Sequence, residues 1–168
     1  MEVEANRFSA LLLMPPPILR AELRRSASLD LAELVRLAEL FDVSKEAMAR
    51  AYASYHAEAV AIVIAKAGRI MRIYRSATRF PRLALTIGDH VPVQSIAHEA
   101  RIAIGAVSSV RLCDTDLWLS DHEARTVATM TEQVLPLRGD IAYILLHAEI
   151  PDEEDQEPDY ERSWRPRF

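Results

Sequence analysis

The chain has 168 residues, 50% of them hydrophobic and 27% charged, with a formal net charge of −5. This is enough apolar material for one ordinary domain or two small ones, and it excludes disorder for most of the length. Residues 149–168 hold eight acids against three arginines, which leaves 17 acids and 17 bases in the preceding 148 residues; the overall balance therefore shows no basic face for nucleic acid.

The single cysteine, Cys113, excludes an internal disulfide and fits a reducing compartment. The one early apolar run, residues 10–14, is too short for a signal peptide, and no run approaches a membrane span. The expected setting is cytoplasmic, with no membrane partner.

Residues 1–14 are dense in helix formers and predict a helix that Pro15, Pro16 and Pro17 stop. A short helix is expected over 18–25. Ser28 or Asp30 then caps a longer helix reaching about Phe41, because Leu31, Leu34, Val35, Ala38 and Phe41 recur at the spacing of one buried stripe. Asp42-Val43-Ser44 is a turn, and Ser44 caps a helix continuing through Ala47, Met48, Ala51, Tyr52 and Tyr55. The period then changes: 59–65 and 69–75 are strand-like runs joined by Lys66-Ala67-Gly68, a hairpin. Residues 86–92 read as a loop and 94–103 as a short helix. Three further strands are expected over 106–112, 125–135 and 141–149, followed by an acidic tail on which Trp164 and Phe168 are the groups able to dock.

Five histidines raise the question of a metal. His98-Glu99 and His122-Glu123 begin a helical zinc motif, and neither has the second histidine four residues on. His56-Ala57-Glu58 and His147-Ala148-Glu149 match the His-x-Glu of zinc deaminases, whose two-cysteine partner motif a chain with one cysteine cannot supply; they read as chance matches. No Gly-rich phosphate loop and no Gly-x-Ser-x-Gly elbow occurs. Cys113, in an apolar run, reads as a small buried hydrophobe before it reads as a nucleophile. Residues 31–48 have the turn length and cap of a helix-turn-helix; in a DNA reader the second helix would present Lys45, Glu46 and Arg50, of which Glu46 repels phosphate.

The segment Glu2-Val3-Glu4-Ala5-Asn6-Arg7-Phe8-Ser9-Ala10-Leu11-Leu12-Leu13-Met14-Pro15 resembles the Glu-x-x-Ala-Asn-x-Phe-Ala-x-x-Leu-Leu-Met-Pro signature of the ImmA/IrrE family of zinc metallopeptidases. The resemblance implies that Glu2 is the third zinc ligand. It also implies that residues 28–56 correspond to a helix-turn-helix-like region and 57–149 to a sensor-like domain of GAF type, and the ending Trp164-Arg165-Pro166-Arg167-Phe168 is similar as well. The family's two other ligands and its catalytic base come from a His-Glu-x-x-His helix, and no such motif occurs in these 168 residues. One carboxylate cannot hold Zn²⁺ in a catalytic geometry, so the chain is not expected to cleave peptides alone. The expectation is a start downstream of the catalytic helix, which leaves Phe8, Leu12 and Leu13 exposed.

The predicted class is α+β: N-terminal helices, then a GAF-like antiparallel sheet domain. Its expected parts are 1–17, the last helix of the metallopeptidase domain; 18–57, a helix-turn-helix-like connector; 58–149, the GAF-like domain; and 150–168, the acidic tail. The function implied by the resemblance is regulation or substrate docking in a zinc metallo-endopeptidase whose intact relatives cleave helix-turn-helix repressors and so derepress transcription in stress response. The expected partners are such a repressor and a chain carrying the missing catalytic helix; zinc belongs to the intact family and is not expected on this chain alone. The alternatives are a stand-alone sensor and a DNA-binding transcriptional regulator.

Overall fold

Three consecutive prolines break a helix interior, but they suit a helix start, where the first N–H groups have no intrahelical partner to lose. In the computed structural model, which describes residues 13–26, 29–99 and 102–151, α1 runs Pro16–Arg25 with Pro15 as its N-cap and buries Leu19 and Leu23. The helix expected over 18–25 thus begins two residues earlier, inside the proline run. The helix expected over 1–14 lies outside the described residues except at its end. There Leu13 is 53% exposed and Met14 is buried, while Phe8 and Leu12 fall outside.

The next two helices follow their apolar periodicity: α2 is Leu31–Leu40 and α3 is Lys45–Tyr55. Asp30 caps α2 by accepting from the Glu33 N–H at 2.8 Å, and Ser28 lies outside the described residues. Ser44 caps α3 by accepting from the Ala47 N–H at 3.1 Å. Each cap satisfies a backbone donor that the first helical turn leaves open.

β1 (Ala59–Lys66) and β2 (Arg69–Arg75) form the expected hairpin. Its turn residues Ala67 and Gly68 both take positive φ, 49° and 73°, the geometry that matches the twist of a two-residue connection. β3 (Arg111–Leu112), β4 (Thr129–Leu137) and β5 (Ile141–Glu149) complete an antiparallel sheet in the order β2-β1-β5-β4-β3. The α+β class therefore holds, with helices first and a five-stranded antiparallel sheet after them.

Three local expectations are corrected. Over 106–112 only Arg111 and Leu112 join the sheet; before them Ser108 meets β4 through a mixed pair, its N–H donating to the Val134 carbonyl and its hydroxyl accepting the Val134 N–H, each at 2.9 Å. Among the described residues of 94–103 the helical piece is the 3-10 turn Ile96–His98, started by Ser95, whose side chain accepts from the Ala97 N–H. Over 125–135 the strand begins at Thr129, and just before that stretch the chain makes a one-turn helix, α4 (Asp121–Ala124).

The sheet is buried on both faces, which is why β1 reads as a continuous apolar run rather than an alternation. On one face Leu31, Leu34, Leu37, Met48 and Tyr52 of α2 and α3 join Val60, Ile62, Ile64, Leu135 and Leu145 in one core. On the other, Phe80, Leu83, Val91, Trp118 and Leu119 from the irregular segments pack on Ala61, Val63, Val134, Ile144 and Leu146. The helices are also tied to the sheet by a side chain: Gln133 of β4 accepts the Leu31 N–H at 2.7 Å and donates to the Ser108 carbonyl at 3.1 Å. No helix of the described residues is long and apolar enough to cross a membrane.

Candidate functional site

The pairing of β1 with β5 sets Ala59 opposite Ala148 and Val60 opposite His147. That register brings together His56-Ala57-Glu58 and His147-Ala148-Glu149, the two motifs that read separately as chance. His147 Nε2 lies 3.9 Å from Glu58 Oε2, and both are open enough to water that the pair contributes little to stability.

His56 is held more firmly. It ends α3, its N–H donating to the Tyr52 carbonyl, and its ring stacks on Tyr52 with centroids 4.9 Å apart. Burial holds its pKa below the usual histidine value, so the ring is neutral at pH 7. The Glu58 N–H donates to Nδ1 at 3.1 Å, which assigns the proton to Nε2.

These groups border a cleft of about 590 Å³ whose facing wall is α1. Arg20, Leu23 and Arg24 come from α1, Tyr55 from the end of α3, and Arg79 from the turn after β2. The Arg20 guanidinium sits 5.2 Å from the centroid of the Tyr55 ring, a cation–π arrangement. Arg79 donates to the Ser76 hydroxyl at 3.4 Å. Among the described residues no ion pair engages Arg20, Arg24 or Arg79, and Glu58 is the one acid lining the cleft. The cleft is thus lined by cationic and apolar side chains together. Sequence reasoning missed the arginines, although Arg20 and Arg24 stand four apart, the spacing of one helix face; nothing local in the sequence points to Arg79.

Elsewhere the expected site residues do not converge. Glu2 lies outside the described residues. His98 contacts the Val91 carbonyl at 3.3 Å on the 3-10 turn, and His122 is exposed on α4. Among the described residues no group of three or more His, Cys, Asp or Glu side chains is placed to hold a metal ion. On α3, Glu46 accepts from Tyr74 Oη at 2.8 Å and pairs with Arg72 at 3.5 Å. Both partners are on β2, so the start of α3 faces the sheet edge.

Cys113 is a free thiol that burial pushes up to about 12. At pH 8 only about one molecule in 10⁴ carries a thiolate there. Labelling with a disulfide reagent is therefore expected to be at least about 100-fold slower in the folded protein than in urea; equal rates would show a reactive cysteine.

One buried acid also escaped the sequence reading. Glu132 of β4 is 1% exposed; its carboxylate accepts from the Ser95 hydroxyl and, at 3.4 Å, from the Ile96 N–H. Burial raises its pKa above the usual carboxylate range, and the two donors limit that rise. It fastens the 3-10 turn to the sheet.

Residues 1–52 match the IrrE N-terminal-like domain of the M78 peptidases. No curated protein matches the chain. The match covers the segment bearing the Glu-x-x-Ala-Asn signature together with α1, α2 and most of α3, so over residues 1–52 the chain is similar to the ImmA/IrrE family.

Proposed function

We propose that this chain serves as a non-catalytic, regulatory and substrate-docking part of an ImmA/IrrE-type zinc metallo-endopeptidase system directed at helix-turn-helix repressors. The observation that carries the reading is the shared core: the family-matched helices are packed by Leu31, Leu34, Leu37 and Met48 onto β1, β4 and β5. Movement of the sheet is therefore felt by the family segment directly, as a sensor-like sheet of GAF type would require. Peptide hydrolysis needs two imidazoles, a third ligand and a base to activate water. The sequence holds no His-Glu-x-x-His, so those groups come from elsewhere, and Glu2 is the residue that would complete them as third ligand.

The test uses the full chain, zinc, and the helix-turn-helix repressors of its own genome purified singly. Binding of at least one repressor without cleavage, followed by cleavage once a family His-Glu-x-x-His segment is added, is the expected result. Cleavage by the chain alone would overturn the non-catalytic assignment. No binding by any repressor would overturn docking. In the reconstituted mixture, Glu2→Gln is expected to reduce the zinc retained after dialysis, and unchanged retention would remove Glu2 from the site.

A further inference from the structure

We infer that the cleft between α1 and the β1–β5 pair is a binding site for a small molecule that carries a phosphate or carboxylate group on an aromatic or apolar body. The inference stands on this chain's own residues and does not depend on the peptidase reading.

Two independent observations point to an oxyanion. The first is the set of unpaired cations: Arg20, Arg24 and Arg79 face one cleft with no carboxylate partner among the described residues. Three guanidinium-bearing side chains that line one cleft raise its positive potential, and an anion bound there is attracted by that potential and accepts charge-assisted hydrogen bonds from planar donor pairs. The second is His56, only 8% exposed. Its Nδ1 is occupied by the Glu58 N–H, so its remaining Nε2–H is a donor with no protein partner. That donor belongs to a side chain lining the cleft and keeps access to it, so a ligand oxygen there can take the place of water on Nε2–H.

The apolar part of the ligand follows from the other lining groups. Leu23, Leu29 and Tyr55 line the cleft together with the cations, and the cleft volume suits a molecule of metabolite size rather than a bare ion. Glu58 at the rim disfavours a second negative group on that side and so favours a single oxyanion at one end of the molecule.

The experiment is calorimetric titration of the full chain at constant ionic strength with four probes: phenyl phosphate, benzoate, inorganic phosphate and phenol. Either phenyl phosphate or benzoate is expected to saturate one site, the stronger of the two identifying the oxyanion. Inorganic phosphate is expected to bind at least about tenfold more weakly than phenyl phosphate, and phenol not at all. Arg24→Gln, at an exposed helix position where the fold tolerates substitution, is expected to weaken the better probe by about tenfold or more. His56→Phe keeps the stacking on Tyr52 while removing the donor, and it is expected to weaken the same probe. Arg111→Gln, whose partner Glu99 lies outside the cleft, is expected to leave affinity within about twofold.

Absence of saturable binding by both aromatic anions would overturn the inference. So would equal losses at Arg24 and Arg111, which would mark a general charge effect. Equal affinity for inorganic phosphate and phenyl phosphate would overturn the role given to Tyr55 and the leucines.

Discussion

Replacing Leu34 by alanine is expected to lower the unfolding free energy by about 2–5 kcal/mol, the range for a large-to-small change at a fully buried leucine. Leu34 has no exposed surface and belongs to the core that α2 and α3 share with the sheet. The larger expectation concerns cooperativity. Trp118 is buried on the opposite face of the sheet, so its fluorescence reports a core that Leu34 does not touch. In urea melts of a Trp164→Phe background, the Leu34→Ala change is expected to move the far-UV dichroism and the Trp118 signal to the same lower midpoint. If the helical signal shifted while Trp118 kept its midpoint, the family-matched helices would be a separate unit, and transmission from sheet to helices would lose its basis.

Glu132 is expected to make the folded state less stable as pH rises. Its folded pKa lies above the ordinary 4.5 because of burial, so the native state binds the proton more tightly than the unfolded chain. Its contribution is then fully favourable below about 4.5. It declines as pH climbs from there to the raised folded value, with a slope of at most about 1.4 kcal/mol per pH unit. Glu132→Gln removes that titration while keeping one acceptor for Ser95 or Ile96, and the variant is expected to gain on the natural protein as pH rises through this window. Glu132→Ala is expected to be destabilised by about 1–3 kcal/mol at every pH, because it orphans the Ser95 hydroxyl and the Ile96 N–H. Chemical unfolding at a series of pH values from 4 upward separates the variants. A difference between natural protein and Glu132→Gln that does not change with pH would show that the carboxyl titrates alike in both states.

The helices were legible because their information is local. Three- and four-residue apolar spacing, with Asp30 and Ser44 at the caps, defines α2 and α3 without reference to the rest of the molecule. The hairpin at Ala67-Gly68 was legible for the same reason. Residues 76–128 were not, since their apolar groups Phe80, Leu83, Val91 and Trp118 are spread through turns and cover the sheet singly, leaving no period to read. The cleft was half legible. His56 and His147 were conspicuous, but their meeting depends on the β1–β5 register, a long-range pairing that no local pattern encodes. Glu132 lay unnoticed because it shares the inward face of Met130 and Val134, and nothing local to the strand announces the Ser95 and Ile96 donors that hold an acid there.

The place of β5 at the middle of the sheet has a consequence for how the molecule is made. β5 is the last of the described strands in the chain, yet it sits between β1 and β4 and pairs Ala59 with Ala148. Until residues 141–149 have left the ribosome, β1 lacks one neighbour and α2 and α3 have only part of the surface on which they pack. Pairings so distant in sequence form slowly, because the intervening loop must be closed before its contacts are made. During synthesis Leu31, Leu34, Leu37 and Met48 are therefore an apolar surface without a complete cover, open to chaperones and to any protein with a matching groove. Commitment to the native state waits on the final strand.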